Sequence, residues 1–582
     1  MIPIINLNSL TDIFPVKGWY LESVADKVPE GADYQEVVIT LSHENNRDSR
    51  HDVRFYLPLQ DINGIIKIGA TSRIIIAKGL PGAEYCLHPN MLSNVWIASP
   101  IDQVRAAIRD ALHMAIISGV PQNSDLNPIN EELLQDKLAR FFSTGDSIRY
   151  VDPGKPIDVE FNRSAILFDV ASDKLDYQER RFTDWRGKID IISTSQGKHA
   201  GLIYRGAKGA SIESRRIKGS DNVFCRSMEK YLLFPENNRP DRLLMTRSVL
   251  AKHDPLVHSE DPLAAHISYD SKLKGRHFVT GVASHPLTFY DSIVVSESAA
   301  YKMACTKIVR QVFITNKKYK KVYTSGYVVP STILLECDGE VVTPTKLKVA
   351  SAELIDYSSE HTLVGRTIAT RHTFTFRCLY PLRDGDKLSS RHSSKGVVTI
   401  IPDKEMKKYT IVTLDGTVVP EVLIHPRSLV GRRNLGVFRE MMANKRCVHE
   451  STTLRTEHFS FRWSFNELVS LGYGNPYNIS ENYNVRGKMF VGPLYWLRPD
   501  KHAVEQLSVM GIDKPIDIHG MNPDSGRAGQ RMGPDVAMVM KAKGMDWILK
   551  TLMRKSIEPG AIARAKQILG CLAHATNMEE ER

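Results

Sequence analysis

Cysteine is scarce. The 582 residues hold seven thiols (Cys86, Cys225, Cys305, Cys337, Cys378, Cys447 and Cys571), odd in number, scattered, and never in a Cys-x-x-Cys pair. Such a set builds neither a disulfide framework nor a zinc site, so reduced, mostly core thiols and no zinc are expected. No apolar run approaches the ~20 residues needed to cross a bilayer, and no membrane partner is expected. The amino terminus, MIPIINLNSLTDIF, lacks the basic segment, apolar core and small-residue cleavage site of a secretory signal. A cytoplasmic setting is therefore the expectation. Internal repeats and low-complexity linkers are missing too, which predicts segments packed on one another or on partner chains.

What is present is ordinary in amount and basic in balance. Hydrophobic residues make up 42% and charged residues 25%, the proportions of a soluble globular protein. The length allows several cores, roughly three to five structural units. A net charge of +11 favours polyanionic partners, because each phosphate neutralised by Lys or Arg releases condensed counterions. Charge alone does not single out nucleic acid, since many basic proteins bind none.

The pattern along the chain predicts an α+β fold. Early β-rich runs (EVVITL, DVRFYL, RIIIA) precede a helix in which Val104, Ile108, Leu112 and Ile116 recur at helical spacing. Ser99, Pro100 and Asp102 give its start and Gly119 its stop. From Ile293 to about Thr417 the pattern becomes β-branched runs punctuated by Gly, Pro and Asp: SIVVSE, TILLEC, TFTFRCL, GVVTII, TIVTL, then Asp415, Gly416 and TVV. A dense β domain or barrel is expected there. After Gly533 and Pro534, VAMVMKAKGMDWILKTLMRKS reads as a helix tolerating Gly544, followed by a second helical stretch, AIARAKQILGCLA. The run NKKYKK, with Lys317, Lys318, Lys320 and Lys321, is by default a solvated turn; its functional reading is contact with RNA or DNA phosphates.

The densest chemical signal is DGDKLSSRHSSKGVV, from Asp384 to Val398. Lys387 and Lys395 bracket Arg391 and His392, and Gly385 and Gly396 mark sharp turns or close backbone approach. A loop of this kind can aim several cations at one polyphosphate, and phosphoryl transfer is catalysed mainly by positioning and charge stabilisation. On its own, a basic surface loop explains it equally well.

The segment resembles the GDK…GRHGNKG motif in the double-psi barrel of cellular RNA polymerase β subunits. Both lysines, eight residues apart, and the Arg-His pair are kept, while Ser390, Ser393 and Ser394 stand where the family has Gly, Gly and Asn. The resemblance implies that Lys387 and Lys395 contact the RNA 3′ end and substrate phosphates, with Arg391 and His392 on nucleic acid. Three further blocks follow the family's order. TFYDSIVVSE resembles NFEDAILISE, making Asp291 a carboxylate near the second magnesium ion, acting through water, with Tyr290 in place of the usual Glu. HPRSLVGRRNLGV resembles NPLGVPSRMNIGQ and puts Arg432 at an arginine that reaches the triphosphate, with Arg433 as an additional charge. GRAGQRMGPDVAMVMKAKG resembles GGQRFGEMEVWALEAYG, which makes Arg527, Gln530 and Arg531 contacts to template or RNA–DNA hybrid.

Upstream the likeness thins. IISTSQGKHAGLI resembles PIETPEGPNIGLI, and KPIDVEFNR faintly resembles NPLSEITHKR beside the hybrid and the rifamycin pocket, whose departures imply rifamycin insensitivity. DRLLMTRSVLAKHDP resembles NRALMGSNMQRQAVP; an arginine expected near the nucleotide falls on Ala251, with Lys252 as a stand-in. Similarity runs from about Lys155 to Ser556. It implies residues 1–150 as unassigned, lobe- or fork-like material, 151–260 as fork and hybrid-adjacent, and 261–300 as the first part of the barrel and hybrid-binding region. A flap-like β-rich insertion would span 301–370, the barrel with the lysine motif 371–440, a connecting region 441–500, a hybrid-binding and β′-contacting region 501–556, and a helical anchor 557–582.

The family holds its metals with three aspartates in a DFDGD loop, which this sequence lacks. Asp384, Gly385 and Asp386 imitate its tail, but Leu382 and Arg383 replace a carboxylate with a cation, so DGD belongs to the lysine motif. The resemblance therefore assigns Mg2+ to a β′-type partner chain. With Met1 opening mid-subunit, the chain is similar to the carboxy-terminal β piece of giant-bacteriophage polymerases, whose β and β′ subunits are divided. That implies β amino-terminal and β′-type fragments, a promoter-recognition factor, DNA template, RNA and NTPs as partners, in the infected host's cytoplasm or the virion. A single-chain, two-barrel polymerase would need the missing aspartates. A non-catalytic nucleic-acid-binding or virion protein with a polymerase-like barrel is the alternative from another class.

Overall fold

Runs of β-branched residues buried on both faces need neighbours on both edges and cover on both sides, and Ile293, Val294 and Val295 are such a run, all but inaccessible. They lie in a closed six-stranded barrel, seen in a computed structural model that describes residues 2–81, 91–118, 129–168, 182–190, 193–195, 200–207, 209–219, 231–258, 260–261, 263, 267–268, 271–288, 291–364, 367–413, 416–451, 454–455, 464–473, 475–478, 487–506, 534–542 and 544–547. The barrel strands are β1 (Arg276–Val282), β2 (Ser292–Ser296), β3 (Lys387–Ser390), β4 (Lys395–Ile401), β5 (Val422–Ile424) and β6 (Lys488–Pro499). β2 runs parallel to β4 (Ser292 opposite Val397) and antiparallel to β5. β1 runs parallel to β5 and antiparallel to β6. β3 completes the circuit, antiparallel to β4 and to β6, with Ser390 opposite Trp496. Closure removes exposed edges. Val294, Ile401, Leu423, Met489 and Val491 pack together as a core.

Between β2 and β3 the chain leaves the barrel. A four-stranded sheet (Cys305–Thr315, Thr367–Tyr380, Ala352–Val364, Gly326–Val328 in spatial order) and a three-stranded one (Tyr319–Val322, Leu335–Cys337, Glu340–Val342) form there, all pairs antiparallel. The inserted strands continue to Tyr380, past the expected boundary at 370, because TFTFRCL pairs with Cys305–Thr315 rather than with the barrel. Of TILLEC only Leu335–Cys337 is strand. In the NKKYKK run, Lys317, Lys318 and Lys320 are exposed. Buried Arg371 ties the insertion to the first module, donating to Asp33, to Gly69 O at 2.8 Å and to Thr362 Oγ1 at 2.7 Å. Lys67 and Glu360 add a pair at 2.7 Å.

The first module is a sheet of strands Trp19–Lys27, Tyr34–His43, Asn46–Gln60, Ile65–Ile68, Thr71–Ile75 and Ile148–Tyr150, joined by a short pairing of Ile2–Pro3. Two helices, Pro100–Ile117 and Glu131–Thr144, share its core. Val104, Ile108 and Leu112 are buried and Ile116 is partly so, as the spacing predicts. The Ser99 hydroxyl accepts from Asp102 N at 3.2 Å while Asp102 Oδ2 accepts from Ser99 N at 3.0 Å, a reciprocal capping box. Gly119 lies outside the described residues.

The chain divides into two units, Met1–His502 and Ala503–Arg582. In the second, a helix spans Pro534–Ala542. It does not run through Gly544, which has φ +72. Gly544 N donates to Lys541 O (3.0 Å) and Met545 N to Met540 O (2.9 Å), the paired bonds that end a helix on a left-handed glycine. The AIARAKQILGCLA stretch lies outside the described residues. Removing the amino-terminal cap of the first long helix by Ser99→Ala should cost about 1 kcal/mol. Chemical denaturation of the full chain followed by circular dichroism checks this.

Candidate active site

The motif loop joins β3 to β4. Lys387 opens β3 and Lys395 opens β4, and the residues between them turn inward: Ser390, Arg391, His392 and Ser393 are fully buried and Ser394 nearly so. Ser390 N donates to Ser394 O and Ser393 N to Ser390 O, both at 3.1 Å. Ser393 adopts the left-handed conformation (φ +56) at the place of a family glycine. Its hydroxyl lies 2.9 Å from Thr246 Oγ1 on helix α1 (Pro240–Lys252). Asn434, between helices α2 (Pro426–Arg432) and α3 (Leu435–His449), donates to His392 O and to Ser394 Oγ.

The pivot is Glu440 on α3. Its carboxylate, wholly buried, accepts from Arg391 Nη2 and from His392 Nε2, each at 2.7 Å, and from Tyr495 N at 3.1 Å. The Arg391 guanidinium also lies over the Tyr495 ring at 4.7 Å. Burial works to raise the Glu440 pKa, but the charge of Arg391 and the hydrogen bond from His392 outweigh it and hold the group at about 2. Arg391 and His392 were expected on nucleic acid. That expectation is corrected: both side chains are fully inside this chain, and they fix the loop's shape.

The lysines the loop presents join a cation cluster. Burial lowers the Lys395 pKa, and the charges of Lys387, Lys501 and Arg242 lower it further. Arg432, at the end of α2, is depressed by burial and again by Arg242. Its Nη1 donates to Lys395 O at 3.4 Å and its Nη2 pairs with Asp291. Asp291 is 63% exposed while Arg432 is 12% exposed. β4 approaches the Asp291 backbone closely: a Cβ on Gly396 would stand 1.8 Å from the Asp291 carbonyl oxygen, and Val397 N donates to that oxygen at 3.2 Å.

Lys387, Lys395, Arg432 and Asp291 are thus brought together from three separated stretches of sequence. Two members of the cluster were missed, Arg242 and Lys501. Arg242 had a signal, since DRLLM keeps the arginine of NRALM; Lys501 had none. Lys252 is exposed at the end of α1, and its charge acts on Asp158. Tyr290, Arg527, Gln530 and Arg531 lie outside the described residues. One carboxylate already paired to an arginine does not fit a site that holds Mg2+ unaided, which needs further carboxylates or phosphates. The cations fit phosphates, which accept charge-assisted hydrogen bonds from Arg and Lys.

Residues 345–502, which contain both lysines and Arg432, match the family model described as RNA polymerase Rpb2, domain 6. The chain is 24% identical over 240 residues to DNA-directed RNA polymerase I subunit RPA2 of Eremothecium gossypii, covering 37% of this chain and 19% of the relative. It is 27% identical over 161 residues to DNA-directed RNA polymerase subunit Rpo2 of Saccharolobus shibatae, covering 26% and 14%. It is 24% identical over 207 residues to the DNA-directed RNA polymerase subunit beta of Mycoplasma mycoides, covering 32% and 16%. The matches span about a fifth or less of these relatives' length. They support a β-type, second-subunit relationship.

Removing Glu440 would strand a buried arginine, so Glu440→Ala should destabilise the barrel unit by about 3–5 kcal/mol, measurable by denaturant unfolding. The sign with pH follows from the depressed pKa: the anchor contributes fully above the ordinary value of 4.5 and is lost as pH falls toward about 2. Acid unfolding of the native chain should show this component, and Glu440→Gln should abolish it.

Proposed function

We propose that this chain is a β-type subunit of a DNA-directed RNA polymerase, synthesising RNA from NTPs on a DNA template within a multisubunit complex and inactive alone. The observation that carries the reading is the convergence of Lys387, Lys395, Arg432 and Arg242 beside one hairpin of the barrel, inside or outside the stretch that matches the polymerase family. Four cations held near one another repel, and an array of that kind is completed by a bound polyanion.

In this proposal Lys387 and Lys395 meet the RNA 3′ end and the incoming triphosphate, and Arg432 and Arg242 grip its phosphates. They orient the α-phosphate toward the attacking hydroxyl and offset charge as it develops. The magnesium ions belong to the aspartates of a β′-type partner, and Asp291 faces them through water. The remaining β-type segments, template, hybrid and promoter-recognition factor come from the rest of the assembly, in the divided arrangement of giant-phage polymerases, in the host cytoplasm or the virion.

Each charge-assisted contact is worth ~1.5–3 kcal/mol, on the order of ten- to hundredfold in rate if felt only in the transition state. Lys395→Ala should slow nucleotide addition by that factor while leaving assembly intact. Elongation assays with the reconstituted complex test it, and wild-type elongation by the variant would refute the assignment. Co-purification of the chain with a partner bearing three metal-binding aspartates tests the division of labour.

A further inference from the structure

Lys387 and Lys501 both press their charge on Lys395, so something must hold them against mutual repulsion. Behind them runs a buried chain of polar groups. Asp386, immediately before Lys387, accepts from Arg498 Nη2 at 3.1 Å and from Arg383 N at 3.0 Å. The same Arg498 Nη2 lies 2.9 Å from His502 Nδ1, and His502 immediately follows Lys501. His502 Nε2 lies 2.8 Å from Asp254 Oδ2, and Asp254 Oδ1 is paired with Lys155. The side chains of Asp254, Asp386, Arg498 and His502 are at most 4% exposed.

The proton positions follow from the donors. A guanidinium can only donate, so His502 Nδ1 accepts and Nε2 carries the hydrogen that goes to Asp254. Asp254, Cys305 and His502 are grouped closely enough to invite a metal, but this tautomer leaves Nε2 with no lone pair for one. Burial also pushes the Cys305 thiol up to about 12. The two carboxylates, Asp254 and Asp386, balance the two cations, Lys155 and Arg498. Their charges cancel within this buried network, and its His502 stacks on Tyr380 at 4.3 Å.

We propose that Arg498 is a positioning residue: by joining Asp386 to His502 it braces Lys387 and Lys501, one at each end of the bridge, beside Lys395 and against the Lys155–Asp254 pair. This rests on the polymerase reading only for its kinetic consequence. The brace exists in the chain itself.

Pulse acetylation of the full-length chain across a pH series, with Lys395 quantified by mass spectrometry, tests the brace directly. With neighbours held close, Lys395 is deprotonated at lower pH and labels faster. Arg498→Gln should release them and slow Lys395 labelling near neutral pH by about threefold. Arg498→Lys, which keeps the charge, should restore part of the difference. If Arg498→Gln does not fold, Asp386→Asn loosens the same bridge while keeping its shape, and should shift labelling in the same direction.

In the reconstituted polymerase, Arg498→Gln should lower kcat about tenfold, as a misplaced catalytic group does, and add little further loss in a Lys387→Ala background. An unchanged Lys395 profile in a folded Arg498→Gln or Asp386→Asn chain overturns the proposal, as does an equal kinetic penalty in both backgrounds. A labelling shift in a complex that adds no nucleotide sinks the polymerase reading and leaves the brace standing.

Discussion

Glu440 is the constraint on which the rest of the site depends. Its two oxygens gather three donors, from Arg391, His392 and the backbone of Tyr495 on β6. A loop rich in serine and positive charge has no hydrophobic reason to fold inward, and desolvating a guanidinium is costly unless an anion meets it. The carboxylate supplies that anion. With Arg391 and His392 drawn in, the register of the two strands, Lys387 opposite Val397 and Ser389 opposite Lys395, puts both lysines on the same face of the hairpin.

The arrangement sorts charge by depth. Inside, every cation of the loop and its support has a carboxylate in reach: Arg391 with Glu440, Arg498 with Asp386, Lys155 with Asp254. At the surface the balance is reversed: among the described residues two acids, Asp291 paired with Arg432 and Asp241 at 3.9 Å from Arg242, face the four cations Lys387, Lys395, Arg432 and Arg242. The interior is electrically settled without a ligand, and the rim is not. In the proposed function, that contrast makes the rim the place for phosphates and the interior the scaffold that keeps it rigid.

Much of this was legible in the sequence, for a physical reason. Lys387 and Lys395 sit on two strands joined by a short loop, so their linear spacing carries their spatial spacing, and the blocks around Asp291 and Arg432 added the other two members. The first long helix was legible because Ser99, Asp102 and the Val104 periodicity are local signals. Burial was not. Arg391 and His392 read as charge beside charge, and only Glu440, nearly fifty residues on, turns them inward. Arg242 was hard to single out because the arginine expected from the resemblance falls on Ala251, further along the same helix. Tyr380, as the end of the insertion, was hidden because strand propensity does not say which sheet a strand joins. Gly544 was misjudged because a tolerated glycine and a terminating one look alike until the backbone turns left-handed.

The parallel pairing of β2 with β4 carries a consequence of its own. Two parallel neighbours cannot be joined by a tight turn; the chain must travel from one end of the barrel back to the other before it can resume. Here β3, antiparallel to β4, makes that return, and the inserted sheets, Cys305–Tyr380, form an excursion before it; the strand pair whose register fixes Ser292 opposite Val397 is indifferent to how long the excursion takes. Lengthening such a connection adds only logarithmically to its closure entropy. The crossover is a port: whole modules can be exchanged there by evolution or by design, while the barrel wall on either side stays in step.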